Sequence, residues 1–406
     1  MYRSLFVLTA TLFAIGTDSY VIAGILPDAG DSLGVSIGTA GWLITAYAFT
    51  YAILSPVMAA LTTRWPRRAL FLSGLGIFIV GNLLTATVSS FGLALVARAL
   101  AGLGGAMVTP AALAAAASLA PPERRGRAIA TVMAGLSAST ALGAPIGTAI
   151  GSITGNWHIT MLFVSVLGLL AAAGIVVFLP EIPNPPLVSL RTRLAPVGDR
   201  RIGVTLLTTL FLFTGLYVVY SFIAESLHRA TGGSGTTLAV LLFVWGIASI
   251  IGTLGSGNLV DRLGARRIIN IALIVLTVDF ALLPWTSAHL GTALVAMFVW
   301  GICGWGFVTP QTHRLIEAMP TAAPMLTGLN SATLYIGVSV ASLVGQGGMA
   351  WFGAHWLGPM GAVLIVLSLI TAEGAHSVIR RHGAQHPQAA SLEPKNPAGA
   401  ATPPQK

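Results

Sequence analysis

Four ionisable residues stand where ionisable residues are costly. Asp18, Arg98 and Asp279 interrupt apolar runs, and Glu225 closes another. An isolated carboxylate in an apolar medium costs several kcal/mol, so each acid must be protonated, paired or turned toward water. Asp18, in Gly16-Thr-Asp-Ser-Tyr20, is the leading candidate for proton coupling. A carboxyl group that alternates between a protonated and a paired state can carry a proton between two accessibilities. Its other reading is a hydrogen-bonded helix-packing acid. Arg98 keeps its proton in proteins and lies at a depth comparable with Asp18 if successive runs alternate in direction. There it either favours the ionised form of Asp18 or clamps backbone carbonyls. Glu225, beside His228 and Arg229, is a second protonation site, a cation-attracting charge or a solvated loop-edge acid. His313, Arg314 and Glu317 end a later run; histidine titrates near neutrality, so a gating role stands beside plain interfacial anchoring. Gly143 and Gly147 flank Pro145, a pattern that allows close helix approach and a bend.

The elements that must hold these groups follow from composition. Of 406 residues, 55% are hydrophobic and 8% charged, against about 25% charged in a soluble domain. Apolar runs of roughly 20 residues are long enough to cross a bilayer as helices. Twelve are expected: 5–27, 41–61, 69–88, 91–118, 128–152, 159–180, 203–225, 236–258, 268–287, 290–312, 326–350 and 359–379. The expected fold is an all-α membrane protein with two pseudo-symmetric six-helix bundles. Residues 1–180 form the first bundle, 181–202 a cytoplasmic linker with four prolines and four arginines, 203–381 the second bundle, and 382–406 a disordered tail. The amino-terminal run continues through Tyr20 to Leu26, too long for a cleaved leader, and is read as a retained span.

The net charge of +9 invites a nucleic-acid reading that its distribution opposes. With alternating spans, all basic residues except Arg98 and Arg229 fall on one side, the pattern that places both termini in the cytoplasm. The excess of arginine over lysine, 19 to 2, fits a GC-rich bacterial genome and hence a bacterial inner membrane. Cys303 is the single cysteine, so no intramolecular disulfide can form. No His, Cys or Asp cluster has metal-ligand spacing, no phosphate loop for ATP occurs, and no paired carboxylates or Ser/His arrangement point to an enzyme. No cofactor is expected beyond a proton gradient. The halves repeat: Gly104-Gly-Ala-Met-Val-Thr-Pro110 returns as Gly304-Trp-Gly-Phe-Val-Thr-Pro310.

These features resemble the major facilitator superfamily, in particular its twelve-helix drug–proton antiporter branch, over about residues 5–380. Gly257-Asn-Leu-Val-Asp261-Arg262-Leu-Gly264-Ala-Arg266-Arg267 matches the family's loop signature. The equivalent after the second span lacks the acid, with Thr63 in its place. Arg98-Ala-Leu-Ala-Gly102-Leu-Gly104-Gly105 is similar to the family's arginine-containing motif, and Gly135 with Gly143-Ala-Pro145-Ile-Gly147 to its antiporter signature.

The resemblance implies that Asp261, Arg262 and Arg266 latch the cytoplasmic side shut against span 5, with Gly143, Pro145 and Gly147 serving the gate. It places Asp279 on a peripheral helix and lines a cavity with spans 1, 2, 4, 5, 7, 8, 10 and 11. Candidate substrate contacts there are Tyr20, Tyr47, Tyr51, Phe213, Tyr217, Tyr220, Trp245, Asn330 and Tyr335, of which Phe213, Tyr217 and Tyr220 share one helical face. The function implied is proton-coupled export of small amphipathic drugs or metabolites by a monomer in the bilayer. Sugar or metabolite efflux and a non-transporting receptor or assembly subunit are the alternatives.

Overall fold

A computed structural model describes residues 2–121, 124–182 and 190–385, and its regular elements there are all helical. Twelve helices are long and apolar enough to cross a membrane. The first six are α1 (Tyr2–Gly24), α2 (Ile37–Leu61), α3 (Arg67–Thr85), α4 (Phe91–Leu119), α5 (Arg125–Thr154) and α6 (Trp157–Phe178). The second six are α7 (Arg200–Tyr220), α8 (Gly235–Gly257), α9 (Ala265–Thr286), α10 (Leu290–Ala318), α11 (Met325–Phe352) and α12 (Ala354–Arg381). Large apolar side chains lie exposed along α6 (Val166, Leu169, Leu170), α9 (Ile271, Ile274, Val278) and α12 (Val363, Ile370). That surface is stable only against lipid, and the chain is a multi-pass membrane protein.

Local signals set the helix ends. The Asn156 side chain accepts the His158 backbone N–H at the start of α6, and Asp199 and Ser234 cap α7 and α8 in the same way. Gly155 closes α5 in the left-handed region at φ 62°. Three elements depart from the expected spans. α10 breaks at Phe307 and resumes to Ala318, and α12 continues to Gln385. α5 carries a π-helical turn over Ser139–Gly143, so that Pro145 sits in the first turn of the resumed helix, where its missing N–H costs least. The expected linker contains the short helix Leu190–Leu194 and a 3₁₀ turn over Ala195–Gly198. Most of the expected tail, from 386 on, lies outside the described residues.

An even number of spans puts both ends of the chain on one face, here called the terminal face. Within the first six helices α1 packs on α5 and α6, and α3 on α4 and α6; within the second, α7 packs on α11 and α12, and α8 on α10. The two sets meet through α2 against α11 and α5 against α8. Small residues let these seams close. A Cβ on Gly246 of α8 would lie 2.3 Å from Cα of Ala141 in the π turn, and one on Gly41 would lie 2.8 Å from the Phe222 ring. Thr45 donates to the Ser339 carbonyl at 3.3 Å, and the Tyr220 hydroxyl donates to the Tyr20 carbonyl at 3.1 Å. These contacts lie at mid-depth or toward the face away from the termini. Toward the terminal face, Gly255 and Gly257 of α8 and Gly328 of α11 face open space.

The seam yields a test. Gly246→Val inserts carbon where none fits and should destabilise the detergent-solubilised protein by about 1–3 kcal/mol, the usual cost of overpacking. Gly255→Val should move the thermal midpoint far less. Equal midpoints for the two variants would refute the close α5–α8 contact.

Candidate functional site

α4 approaches α2 and α3 almost backbone to backbone. A Cβ on Gly102 would lie 2.5 Å from the Tyr47 carbonyl oxygen, and one on Gly104 would lie 2.6 Å from that of Gly74. One turn earlier on α4, this approach delivers Arg98 to the centre of the first six helices. Arg98 Nη1 donates to Asp18 Oδ1 at 2.6 Å, and neither side chain is exposed. Asn82 of α3 joins the pair, its Nδ2 donating to Asp18 Oδ2 at 3.4 Å and its Oδ1 accepting from Arg98 Nη1 at 3.4 Å. Arg98 Nε reaches the Leu43 carbonyl at 3.5 Å, and the guanidinium lies 4.8 Å from the centre of the Tyr47 ring. Four helices thus converge on one charge pair. Arg98 Nη2 is buried and has no hydrogen-bond partner.

An aromatic cluster covers the pair. Tyr20 meets Tyr220 and Trp245 edge-on, both at 6.2 Å, and Trp305 at 6.0 Å. Tyr220 packs on Trp245 at 4.9 Å and on Tyr217 at 5.2 Å, and Phe213 neighbours Tyr217 at 6.3 Å. On the α2–α11 side, Tyr51 stacks on Tyr335 at 3.9 Å and lies 6.3 Å from Tyr47. Ser19 donates to the Tyr47 hydroxyl at 3.0 Å. Between Ser19, Tyr20, Tyr47, Arg98, Tyr217 and Tyr335 remains about 10 Å³, room for one water. In this conformation the cavity is collapsed on its own aromatic rings.

Eight of the nine candidate substrate contacts belong to this region; Asn330 does not. It accepts a 2.7 Å hydrogen bond from Thr209, within a separate buried network nearer the terminal face. There Gln311 donates to Thr209 and to the Thr205 carbonyl, and Arg314 donates to Gln311 at 2.7 Å and to the Ala372 carbonyl at 3.1 Å. Through that bond Asn330 ties α11 to α7. Asn82, Ser19 and Trp305 went unnoticed in the sequence. A lone amide inside an apolar run was the available signal for Asn82, by the same logic that singled out Asp18.

The other ionisable candidates lie apart from the pair. Glu225, half-buried, lines a vestibule of about 390 Å³ on the face away from the termini, with Asp28 and His228. Partial burial raises the Asp28 carboxyl above its ordinary range, and Asp31 adds to the shift. Asp279 is half-buried on α9, outside the cluster around Asp18. His313 pairs with Glu317 at 3.4 Å on an exposed stretch of α10.

At the expected latch, Arg262 is exposed and the Asp261 side chain lies outside the described residues. Arg266 donates to Glu373 of α12 through Nε at 3.1 Å and Nη2 at 2.5 Å, and Asn270 donates to the same carboxylate. Gly143 and Gly147 serve the α1–α5 contact, since a Cβ on them would lie 2.0 Å from Thr17 Oγ1 and 2.4 Å from Val21 Cγ2.

Two six-helix sets around a buried charge pair and a central aromatic cavity have the architecture of a solute transporter. The Major Facilitator Superfamily model matches residues 8–342 and 205–396, and the chain belongs to that family. It is a transporter and not an enzyme. It is 29% identical over 368 residues, 90% of this chain and 94% of the relative, to the uncharacterized MFS-type transporter YbcL of Bacillus subtilis (strain 168). It is 28% identical to the chloramphenicol resistance protein of Streptomyces lividans, over 92% of this chain and 96% of that one. Its fold is similar to that of the nucleoside transporter NupG (D323A mutant), with a TM-score of 0.75 at 13% identity over 92% of this chain and 98% of that one.

The charge pair makes an asymmetric prediction. Asp18→Leu strands a guanidinium that cannot neutralise itself and should cost about 3–5 kcal/mol, whereas Arg98→Met leaves an acid that can take up a proton and should cost less. The double variant should recover most of the loss. Thermal and denaturant unfolding in detergent measures this, and strictly additive single effects would show that the pair is not coupled.

Proposed function

We propose that this transporter exports small amphipathic molecules in exchange for protons, with Asp18 as the coupling group and Arg98 as its electrostatic partner. The observation that carries the reading is the fully buried Asp18–Arg98 contact beneath the aromatic cluster. A carboxylate is tolerated there because a permanent cation faces it; protonation cancels that attraction and frees Arg98 to rearrange. Proton and substrate then compete through one local arrangement, and linkage makes the competition reciprocal. The terminal face is the cytoplasmic one in this reading, following the positive-inside distribution of arginine, and the vestibule at Asp28 and Glu225 opens to the outside. Residues 1–180 and 203–381 rock as two units in the bacterial inner membrane around this centre, and Arg262, Arg266 and Asp261 regroup when the cytoplasmic side closes. The resistance protein of Streptomyces lividans is named for chloramphenicol, which supports export of a lipophilic, weakly polar compound here. The aromatic lining favours the same class over sugars.

The test uses inverted membrane vesicles with an acid interior reported by a quenched amine dye. A chloramphenicol-like neutral compound should restore fluorescence with the native chain, and Asp18→Asn should reduce that recovery at least tenfold. Recovery with sugars alone would replace the substrate class, and full recovery in the variant would move coupling to Glu225 or Asp279.

A further inference from the structure

Below the aromatic cavity, toward the terminal face, lies a second and larger space that the coupling centre does not use. It is a groove of about 730 Å³ bounded by α2, α7 and α11, with Leu194 and Val197 of the linker at its mouth. The volume falls in the range of small-molecule sites. Its walls are aliphatic. Among the described residues Arg200, exposed at the mouth, is the only charged one lining it, and Thr333 the only other polar one, its hydroxyl already donating to the Leu329 carbonyl at 2.8 Å.

The groove and the cavity share three helices. On α2 the cavity is lined by Ile44 to Ala48 and the groove by Ala52 to Val57. On α11 the cavity is lined by Leu334 to Val338 and the groove by Leu329 to Ile336. On α7 Tyr217 belongs to the cavity, and the groove begins one turn beyond Phe213, at Leu210. The stacked rings of Tyr51 and Tyr335 stand at the junction on two of these helices. Ile53 and Leu207, both groove residues, are 46% and 42% exposed, so the groove opens sideways on the membrane-facing surface rather than into a sealed core.

We propose that this groove is the loading site through which the exported molecule passes from the inner leaflet to the aromatic cavity, with the Tyr51–Tyr335 stack as the gate between them. The occupant is the transported substrate: a lipophile that is neutral or acidic, not a lipophilic cation. The walls select an apolar body, because aliphatic side chains leave no polar group of the substrate a partner within the groove. The mouth selects charge, because Arg200 repels a cation and attracts an acid. The far end of the route agrees, since the Asp18–Arg98 pair is neutral when Asp18 is ionised and carries a net positive charge when it is protonated. In neither state does it offer an uncompensated negative charge. This inference rests on the export reading for its direction, but the binding it requires does not need a proton gradient.

The experiment measures equilibrium binding to the full chain in lipid nanodiscs without a gradient. Three probes are used: neutral N-phenyl-1-naphthylamine, anionic 1-anilinonaphthalene-8-sulfonate, and the tetraphenylphosphonium cation as a competitor, with empty discs subtracted. Ala332→Trp fills the groove and should weaken both fluorescent probes at least tenfold. Arg200→Glu should weaken the anionic probe about tenfold, leave the neutral one within twofold, and let the cation compete where it did not before. Should Ala332→Trp fail to fold, Ala332→Cys in a Cys303→Ser background, labelled after folding with a bulky maleimide, replaces it. Unchanged affinities in the filled groove overturn the proposal. So does a native mass spectrum in which filling expels a bound phospholipid while probe affinity stays constant, which would make the groove a lipid seat. Loss of dye recovery in the vesicle assay with binding intact refutes proton coupling alone.

Discussion

A carboxylate and a guanidinium, both removed from solvent and 2.6 Å apart, impose the central constraint on this molecule. Neither charge is stable alone in a hydrocarbon interior. Every element that delivers them must therefore hold its position, or change position in a way that supplies another partner. Asp18 comes from α1, Arg98 from α4, the bridging amide of Asn82 from α3, and the ring and carbonyl that flank the guanidinium from α2. A bilayer supplies no water to mend a misplaced group. The demand on helix packing is accordingly strict, and glycine answers it at Gly81, Gly102 and Gly104, where a Cβ would fall within 2.7 Å of a neighbouring helix.

The same economy of side chains shapes the contact between the two helix sets. α5 meets α8 where a π turn displaces Ala141 toward Gly246, and α2 meets α11 through Thr45 and Ser339. Such seams have few interlocking large residues on one side of the membrane and open space on the other. They suit surfaces that separate and re-form with little rearrangement within each set. The polar network of Thr209, Gln311, Arg314 and Asn330 stays wholly inside the second set. It ties α7, α10, α11 and α12 together.

Charge is distributed along the transport axis in a graded way. Acids gather at the vestibule that carries Asp28 and Glu225, a compensated pair occupies the centre, and Arg200 stands beside an otherwise aliphatic groove toward the terminal face. The two ends of this axis thus offer different surroundings. The aromatic rings between them provide apolar area that covers the charge pair.

The apolar runs alone determined the twelve spans, because a helix in lipid must satisfy its own backbone and be long enough to cross, and both conditions are local. Asp18 and Arg98 were legible for a related reason: a charge inside such a run needs a partner, and alternating spans put these two at one depth. The aromatic face of α7 followed from helical periodicity. What lay beyond the sequence was everything that depends on which helices touch. Asn82 reaches Asp18 only through the packing of α3. The bond of Asn330 to Thr209 and the pairing of Arg266 with Glu373, 107 positions away, likewise depend on which helices meet. The groove under Tyr51 and Tyr335 is written in aliphatic residues that any membrane helix would carry. Only the divergence of three helices turns them into a site, since a cavity is a property of the space between elements and leaves no mark on any one of them.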